Sequence, residues 1–244
     1  MTTKRAIIIG ASSGIGREVA RLLLREGYDI GIAARRENQL IAFKEEFSQG
    51  GRVEIMPIDV TADNAAERLE ALIEKLGGMD LYFHAAGIGK QNRELTPDIE
   101  LQTMQTNALG FTKMIGTAYR YFAQQKSGHI AAITSIAGTK GLGPAPAYSA
   151  TKAMQTTYLE ALEQQARNRK LNIHFTDIRP GFVDTDLLSG DFRYPMMLKP
   201  EKVARQIVRA IKHRRHVCII DWKYRLLTMA WRCIPRCIWR NIKL

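Results

Sequence analysis

A phenol and an ammonium stand four residues apart in Tyr148-Ser149-Ala150-Thr151-Lys152. If that segment is helical, both side chains lie on one face. An ammonium beside a phenol favours the phenolate, and so is expected to draw the tyrosine below its usual pKa of about 10. A phenol tuned in this way can donate a proton to a carbonyl oxygen and recover it in the reverse direction. Ser135, thirteen positions earlier, offers a hydroxyl that can orient the same oxygen. Taken alone, Tyr-x-x-x-Lys is weak, because an ordinary helix presents the pair often.

A second group of residues is suited to phosphate. Gly10-Ala11-Ser12-Ser13-Gly14-Ile15-Gly16 has the spacing G-x-x-x-G-x-G and stands between an apolar run and an amphipathic stretch. Glycines there permit a tight turn and close approach of a pyrophosphate, which the free N–H groups and dipole of a helix start attract. A turn that merely connects strand and helix is the plainer alternative. About 20 residues past such glycines an NAD site usually carries a carboxylate for the ribose hydroxyl. This chain has Ala33-Ala34-Arg35-Arg36 instead. Guanidinium groups suit a phosphate monoester, so Arg35 and Arg36, with a hydroxyl from Ser12, favour NADP (NADPH) over NAD unless they are simply solvated.

These residues need a scaffold that brings distant segments together. Strand-like runs at 6–9, 28–34, 52–58, 80–84, 129–134, 171–178 and 217–220 alternate with helical stretches. The latter cover 15–25, 37–47, 65–76, 97–125, 148–167 and 202–212. Such alternation predicts one α/β domain, a doubly wound parallel sheet covered by helices on both faces and joined by right-handed crossovers. Ser135 then falls just past the fifth strand, at the carboxyl end where sheets of this kind bind ligands.

Together, in this order and spacing, Gly10–Gly16, Ser135, Tyr148 and Lys152 resemble the short-chain dehydrogenase/reductase family. The resemblance covers about residues 4–220 and extends to other segments. Asp59-Val60 is similar to the family's adenine-contacting pair. Asn107 matches the asparagine that organises a helix kink and a proton-relay water. Pro180-Gly181, with Val183 and Thr185, matches the segment bracketing the nicotinamide. Where the family has Asn-Asn-Ala-Gly this chain has His84-Ala85-Ala86-Gly87, so Ala85, Ala86 and Gly87 retain backbone contacts to the adenine ribose while the asparagine side chains are lost. His84 could replace one of their bonds. The threonine usual before the first glycine is Ile9.

The resemblance implies a Rossmann-like, seven-stranded sheet in the order 3-2-1-4-5-6-7. It also implies hydride transfer between nicotinamide C4 and a carbonyl or alcohol carbon, with Tyr148 as general acid/base. Lys152 would tune the tyrosine and contact the nicotinamide ribose, Ser135 would orient the oxygen, and Asn107 would support the relay. A homodimer or homotetramer is implied as well. A different class of function, a nucleotide-binding regulator or membrane-surface scaffold without turnover, is disfavoured by the intact serine, tyrosine and lysine.

Residues 185–198 fall where the family places a lid, and Leu187, Leu188, Phe192, Tyr194, Met196, Met197 and Leu198 make it apolar. With Leu142, Pro144 and Pro146 as another wall, a hydrophobic carbonyl or alcohol substrate is expected, although the same side chains could pack on the protein or on a second subunit.

Net charge separates the chain into unlike parts. Residues 1–198 carry 23 basic and 22 acidic side chains, a balance of +1, whereas residues 199–244 carry 13 and 2, a balance of +11. A domain at 1–221 is therefore followed by a basic appendage at 222–244. In that appendage Leu227, Trp231, Ile234 and Ile238 form an apolar stripe, and Arg225, Arg232, Arg236, Arg240 and Lys243 recur on another face, up to a break at Pro235. A peripheral membrane contact and docking on the domain or a subunit both fit this pattern. Nucleic acid does not, because no reader motif accompanies the charge.

Cys218, Cys233 and Cys237 make no disulfide framework, and with His213 and His216 they lack the spacing of common zinc sites. No metal is expected. The apolar run Ala6–Ile9 is too short for a signal peptide, and no apolar stretch of about 18 residues exists to span a membrane. A cytoplasmic location, with a peripheral membrane association left open, is the expectation.

Overall fold

The computed structural model describes residues 3–47, 51–186 and 194–243. Seven strands form one sheet in the order β3-β2-β1-β4-β5-β6-β7, all pairs parallel. They are β1 (Arg5–Ile9), β2 (Asp29–Ala34), β3 (Val53–Pro57), β4 (Leu81–His84), β5 (Ser127–Ile133), β6 (Asn172–Arg179) and β7 (Val217–Ile219). The order is the one expected from the sequence. It reverses direction between β1 and β4, and a crevice opens at the carboxyl ends of such a switch.

The strands are short apolar runs because both faces are covered. Ile7 and Ile9 point into one core with Leu69, Leu72 and Phe122, while Ala6 and Ile8 point into the other with Leu23, Val203 and Ile207. The first of these cores lies under α3 (Ala65–Leu76) and α5 (Phe111–Gln125), the second under α1 (Gly14–Arg25) and α7 (Pro200–Lys212). Helix α2 (Glu37–Glu46) sits beyond β2, and Leu40 and Phe43 bury its inner side.

The long helical region expected from Pro97 to about Gln125 is in fact three pieces. α4 (Pro97–Met104) passes into a wide π turn, Gln105–Gly110, which leads into α5. Such single turns commonly mark functional sites. α6 (Pro146–Asn168) starts at a proline, whose missing N–H costs nothing in the first turn of a helix. Its first turn also receives a carboxylate, since Ala147 N donates to Glu100 Oε2 from α4 at 3.2 Å.

After β7 the chain continues as α8 (Trp222–Cys233), breaks at Pro235, and ends in the single turn α9 (Arg236–Trp239). Asp221 caps α8 by accepting from Lys223 N. Among the described residues no helix is long and apolar enough to cross a membrane.

Candidate active site

The glycine turn leaves β1 and enters α1 with no side chain in the way. Gly10 has φ +89°, and a Cβ there would stand 2.6 Å from the Ala86 nitrogen. At Gly16 a Cβ would come within 2.1 Å of the Gly10 carbonyl oxygen. Neither neighbour can move, because both are backbone, so these positions require glycine. Ser13, which precedes α1, does not cap it with its side chain, so the first-turn N–H groups of α1 receive no side-chain acceptor from that residue.

Other segments converge on this turn. Gly10 N and Ala11 N donate to Ala33 O at the end of β2, and Ala85 N donates to Ile9 O, which lays Ala85 and Ala86 against the glycines, while Gly87 faces Asn107 and Lys152. From β6 the chain runs through Pro180, Gly181 and Val183 to Thr185, whose side chain abuts Gly14. Ile15 completes the turn, half-buried against the core.

At the lip of the turn, Arg36 donates to Ser13 Oγ at 2.7 Å and to Ser12 Oγ at 3.1 Å, and lies 3.8 Å from Asp186. Arg35 instead faces Asp59. Burial pushes the Asp59 carboxyl up, but the Thr61 amide and hydroxyl and the Arg35 charge together hold it below its usual range. Val60 is buried beside Gly110 of the π turn. A glycine cradle, a helix start that Ser13 does not cap and a guanidinium with two hydroxyls at one edge form a donor set that fits a dinucleotide bearing an extra phosphate.

Beyond the cradle, Ser135 stands two residues past β5 and caps the short turn Ile136–Thr139, accepting from Ala137 N at 3.0 Å. Its hydroxyl is near enough to the Tyr148 phenol to act on that group's pKa, drawing it down. Gly89 stands against the other side of that ring, where a Cβ would be 2.7 Å from Cε2. Lys152, one turn along α6, has its Nζ 5.7 Å from the centre of the Tyr148 ring.

Lysine and tyrosine do not titrate as their spacing suggests. Burial raises the Tyr148 phenol above its ordinary value, and the Ser135 hydroxyl only partly opposes this. The expected lowering by Lys152 is therefore corrected for the protein alone. Lys152 is itself pushed down to about 8, because burial disfavours its charge more strongly than Asp177 restores it.

The ammonium is held from behind. It donates to Ile133 O at 3.1 Å and to Gln155 Oε1 at 3.0 Å. Gln155 Nε2 in turn donates to Asn107 O at 2.7 Å, and the glutamine is fully buried. Asn107 lies in the π turn, which frees that carbonyl from the regular helix ladder. Its side chain clasps Ile88 at both backbone groups, at 2.9 and 2.7 Å. Thus one side chain links the π turn to the lysine. Gln155 was not among the residues singled out from the sequence, yet Tyr148, Lys152 and Gln155 occupy positions i, i+4 and i+7 of one helical face.

His84 is neither base nor ligand in this arrangement. Burial and the Lys152 charge push it to about 3 against the pull of the Ala86 backbone, so the ring is neutral, and Nδ1 meets the Tyr82 hydroxyl at 2.9 Å. Through that bond it braces β4 internally. Among the described residues, no group of three or more His, Cys, Asp or Glu side chains is placed to hold a metal ion.

The substrate side is partly described. Leu187, Leu188, Asp191, Phe192 and Arg193 of the expected lid lie outside the described residues. Of the remainder, Tyr194 stacks on Phe182 with ring centres 4.7 Å apart, and Val183 pairs with Leu198. Opposite, Leu142 N donates to Ser149 Oγ of α6 and Asn92 N, before α4, donates to Pro144 O, fixing the 142–146 wall from two sides.

Helix α8 also meets this region. Tyr224 is fully buried, its ring lies where a Cβ on Gly181 would be 2.2 Å away, and its hydroxyl donates to Met196 O while accepting from Phe182 N.

Comparison with known proteins gives one family throughout. The family signature described as short chain dehydrogenase matches residues 4–193. An uncharacterized oxidoreductase of Myxococcus xanthus is 31% identical over 240 residues, covering 96% of this chain and 94% of that protein. A Mycobacterium tuberculosis oxidoreductase, also uncharacterized, is 28% identical over 246 residues, covering 98% and 94%. In fold, a Sphingobium yanoikuyae short-chain dehydrogenase in complex with NADPH superposes with a TM-score of 0.82 at 20% identity, covering 98% of this chain and 96% of that one. A Thermococcus sibiricus alcohol dehydrogenase complexed with 5-hydroxy-NADP gives 0.79 at 24% identity, covering 91% and 98%. The chain belongs to the short-chain dehydrogenase/reductase family of oxidoreductases.

Proposed function

We propose that this oxidoreductase interconverts a carbonyl and an alcohol with NADP(H), and that its substrate is predominantly apolar. The convergence of Ser135, Tyr148 and Lys152 beside the glycine cradle carries the reading. Arg36, supported by Ser12 and Ser13, supplies the reason to favour the phosphorylated coenzyme, in keeping with the NADP-type ligands of the two fold relatives. When bound, the nicotinamide supplies or accepts the hydride at the substrate carbon.

The protein's own part is to bind the oxygen and manage its proton. Ser135 and Tyr148 present two hydroxyls to one oxygen. In reduction Tyr148 gives its proton to the nascent alkoxide, and in oxidation it takes the alcohol proton. A phenol held above its ordinary pKa by burial is protonated at neutral pH, the form needed for reduction. Lys152 stabilises the phenolate as it forms. Gln155 bridges Lys152 and the Asn107 carbonyl, and it acts as a positioning residue for the lysine. The apolar side chains at 142–146 and 194–198 favour an apolar substrate.

Tyr148→Phe tests this assignment. Turnover is expected to fall by about three orders of magnitude, within the upper range for a lost proton donor, while NADPH binding followed by fluorescence stays within about twofold. Undiminished turnover would remove Tyr148 from the chemistry.

A further inference from the structure

Of the apolar stripe read from the sequence in the C-terminal segment, Ile238 of α9 is exposed, but the part on α8 is not the surface that this helix offers to solvent. Leu227 and Trp231 turn inward and pack against the core beside buried Tyr224 and Thr228. A different set faces out: Trp222, Leu226 and Met229, at i, i+4 and i+7, are 64%, 55% and 56% exposed. Lys223, Arg225, Arg232, Arg236, Arg240 and Lys243 stand exposed around them, and among the described residues none pairs with a carboxylate. Asp221 is the only acid from there to the end of the chain, and it is taken by the α8 cap and by Lys202.

From this we propose that the outer face of α8 and α9 docks on the surface of an anionic phospholipid membrane, the helix lying in the interface with Trp222, Leu226 and Met229 dipped into the acyl boundary.

Three observations favour that occupant. An exposed tryptophan beside aliphatic side chains, ringed by Lys and Arg, is the composition of a helix that binds in the interfacial plane. The cations lack internal partners, so an anionic leaflet supplies what the protein does not. A second copy of the same face is the poorer partner, because a twofold contact would bring two ends of net charge +11 together.

The placement of the helix gives docking a consequence. The same segment borders the substrate side. Tyr224 holds the 195–196 backbone, Lys140 Nζ donates to Ile234 O at 2.8 Å, and Trp239 Nε1 donates to Gly141 O at 2.8 Å. Met196 and Met197, 42% and 41% exposed, line a groove with Lys223 and Tyr224 at the start of α8. An apolar substrate dissolved in the bilayer would therefore meet the protein beside the 194–198 segment, which α8 helps to hold. This last step rests on the carbonyl/alcohol reading above, whereas docking itself does not.

Co-sedimentation of the full chain with vesicles tests docking without any assay of turnover. Binding is expected to vesicles of equal parts phosphatidylcholine and phosphatidylglycerol, to be about tenfold or more weaker on phosphatidylcholine alone, and to fall as salt rises. The triple variant Trp222→Ser/Leu226→Ser/Met229→Ser is expected to lose about tenfold in partitioning. Its unfolding temperature and NADPH affinity are expected to stay at wild-type values, since all three side chains already face solvent. Absence of wild-type binding to the anionic vesicles would overturn the proposal. So would equal binding by the variant, or a concentration-dependent dimer that the variant abolishes while vesicle binding is lacking. If docking holds but no ketone is reduced, the membrane surface stands and the proposed reaction fails.

Discussion

At the carboxyl end of the sheet, Lys152 is 4% exposed and its ammonium has two acceptors within 3.1 Å. On α8, α9 and the residues after them, six Lys and Arg side chains stand in solvent, and among the described residues none forms an ion pair with a carboxylate. Both regions are cationic, yet the physics differs. A buried cation depends on its partners, and its pKa moves because desolvation is not fully repaid. An exposed cation costs little, keeps its charge and acts over a Debye length of roughly 8–10 Å. The first arrangement suits a single proton transfer, the second a broad surface of opposite sign. The two tyrosines divide similarly. In the proposed reaction Tyr148 exchanges its proton, whereas Tyr224 spends its hydroxyl on Phe182 N and the 195–196 carbonyls.

The contrast can be broken first at the cradle. Gly10→Val places a Cβ against the Ala86 backbone at a positive φ. NADPH affinity is expected to fall about 100-fold or more, with a lower unfolding temperature, while vesicle binding by α8 survives in the folded fraction. Retained NADPH affinity by fluorescence titration would show that the turn does not hold the pyrophosphate.

Gln155→Leu should be the next largest. It removes the Lys152 acceptor and leaves the Asn107 carbonyl without its buried donor. kcat for carbonyl reduction is expected to drop about 10- to 100-fold with KM little changed, and the high-pH limb to move to lower pH as Lys152 loses a partner that favours its charge. A purely structural glutamine would lower stability and leave that limb in place.

At the coenzyme edge, Arg36→Asp is expected to weaken NADPH about tenfold or more and NADH much less, and Arg35→Asp to do so more weakly. The sequence treats the two arginines alike, but only Arg36 joins the serines, while Arg35 faces Asp59. Equal losses for both coenzymes in the Arg36 variant would place the phosphate elsewhere.

The smallest effect concerns pH. The Lys152 pKa falls from its ordinary 10.5 to about 8 on folding, so between those values the unfolded chain binds more protons than the native one. Stability attributable to this group therefore rises with pH across that window, and its cost is fully present below about 8. The unfolding free energy of the wild type minus that of Lys152→Met should climb from pH 8 toward 10.5. A flat difference would mean that the lysine is not desolvated.

Much of this was legible in the sequence because it is local or periodic. Seven apolar runs alternating with amphipathic stretches specify the doubly wound sheet, and the glycine turn is written in consecutive residues. Features that depend on distant segments meeting were not legible. Gln155 reads as an ordinary polar helix residue until the π turn at 105–110 arrives over it, and that wide turn has no periodic signature. Glu100 likewise reads as surface, but it reaches the first turn of α6. For Tyr148 and Lys152 the spacing was right and the electrostatic sign was not, since proximity is visible in a sequence while desolvation is not. In α8 the helical period was clear, but which of its two apolar stripes turns inward was decided by the space under Gly181 that Tyr224 fills.

The central claim is that the cradle and the Ser135, Tyr148 and Lys152 group serve one reaction with a phosphorylated coenzyme. The most direct measurement follows coenzyme consumption by the wild-type protein over a panel of apolar ketones, with NADPH and NADH side by side and the alcohol product quantified. The expected result is NADPH oxidation matched mole for mole by alcohol with at least one apolar ketone, and much slower consumption of NADH. NADPH that binds but is consumed with none of them, or a clear preference for NADH, would contradict it.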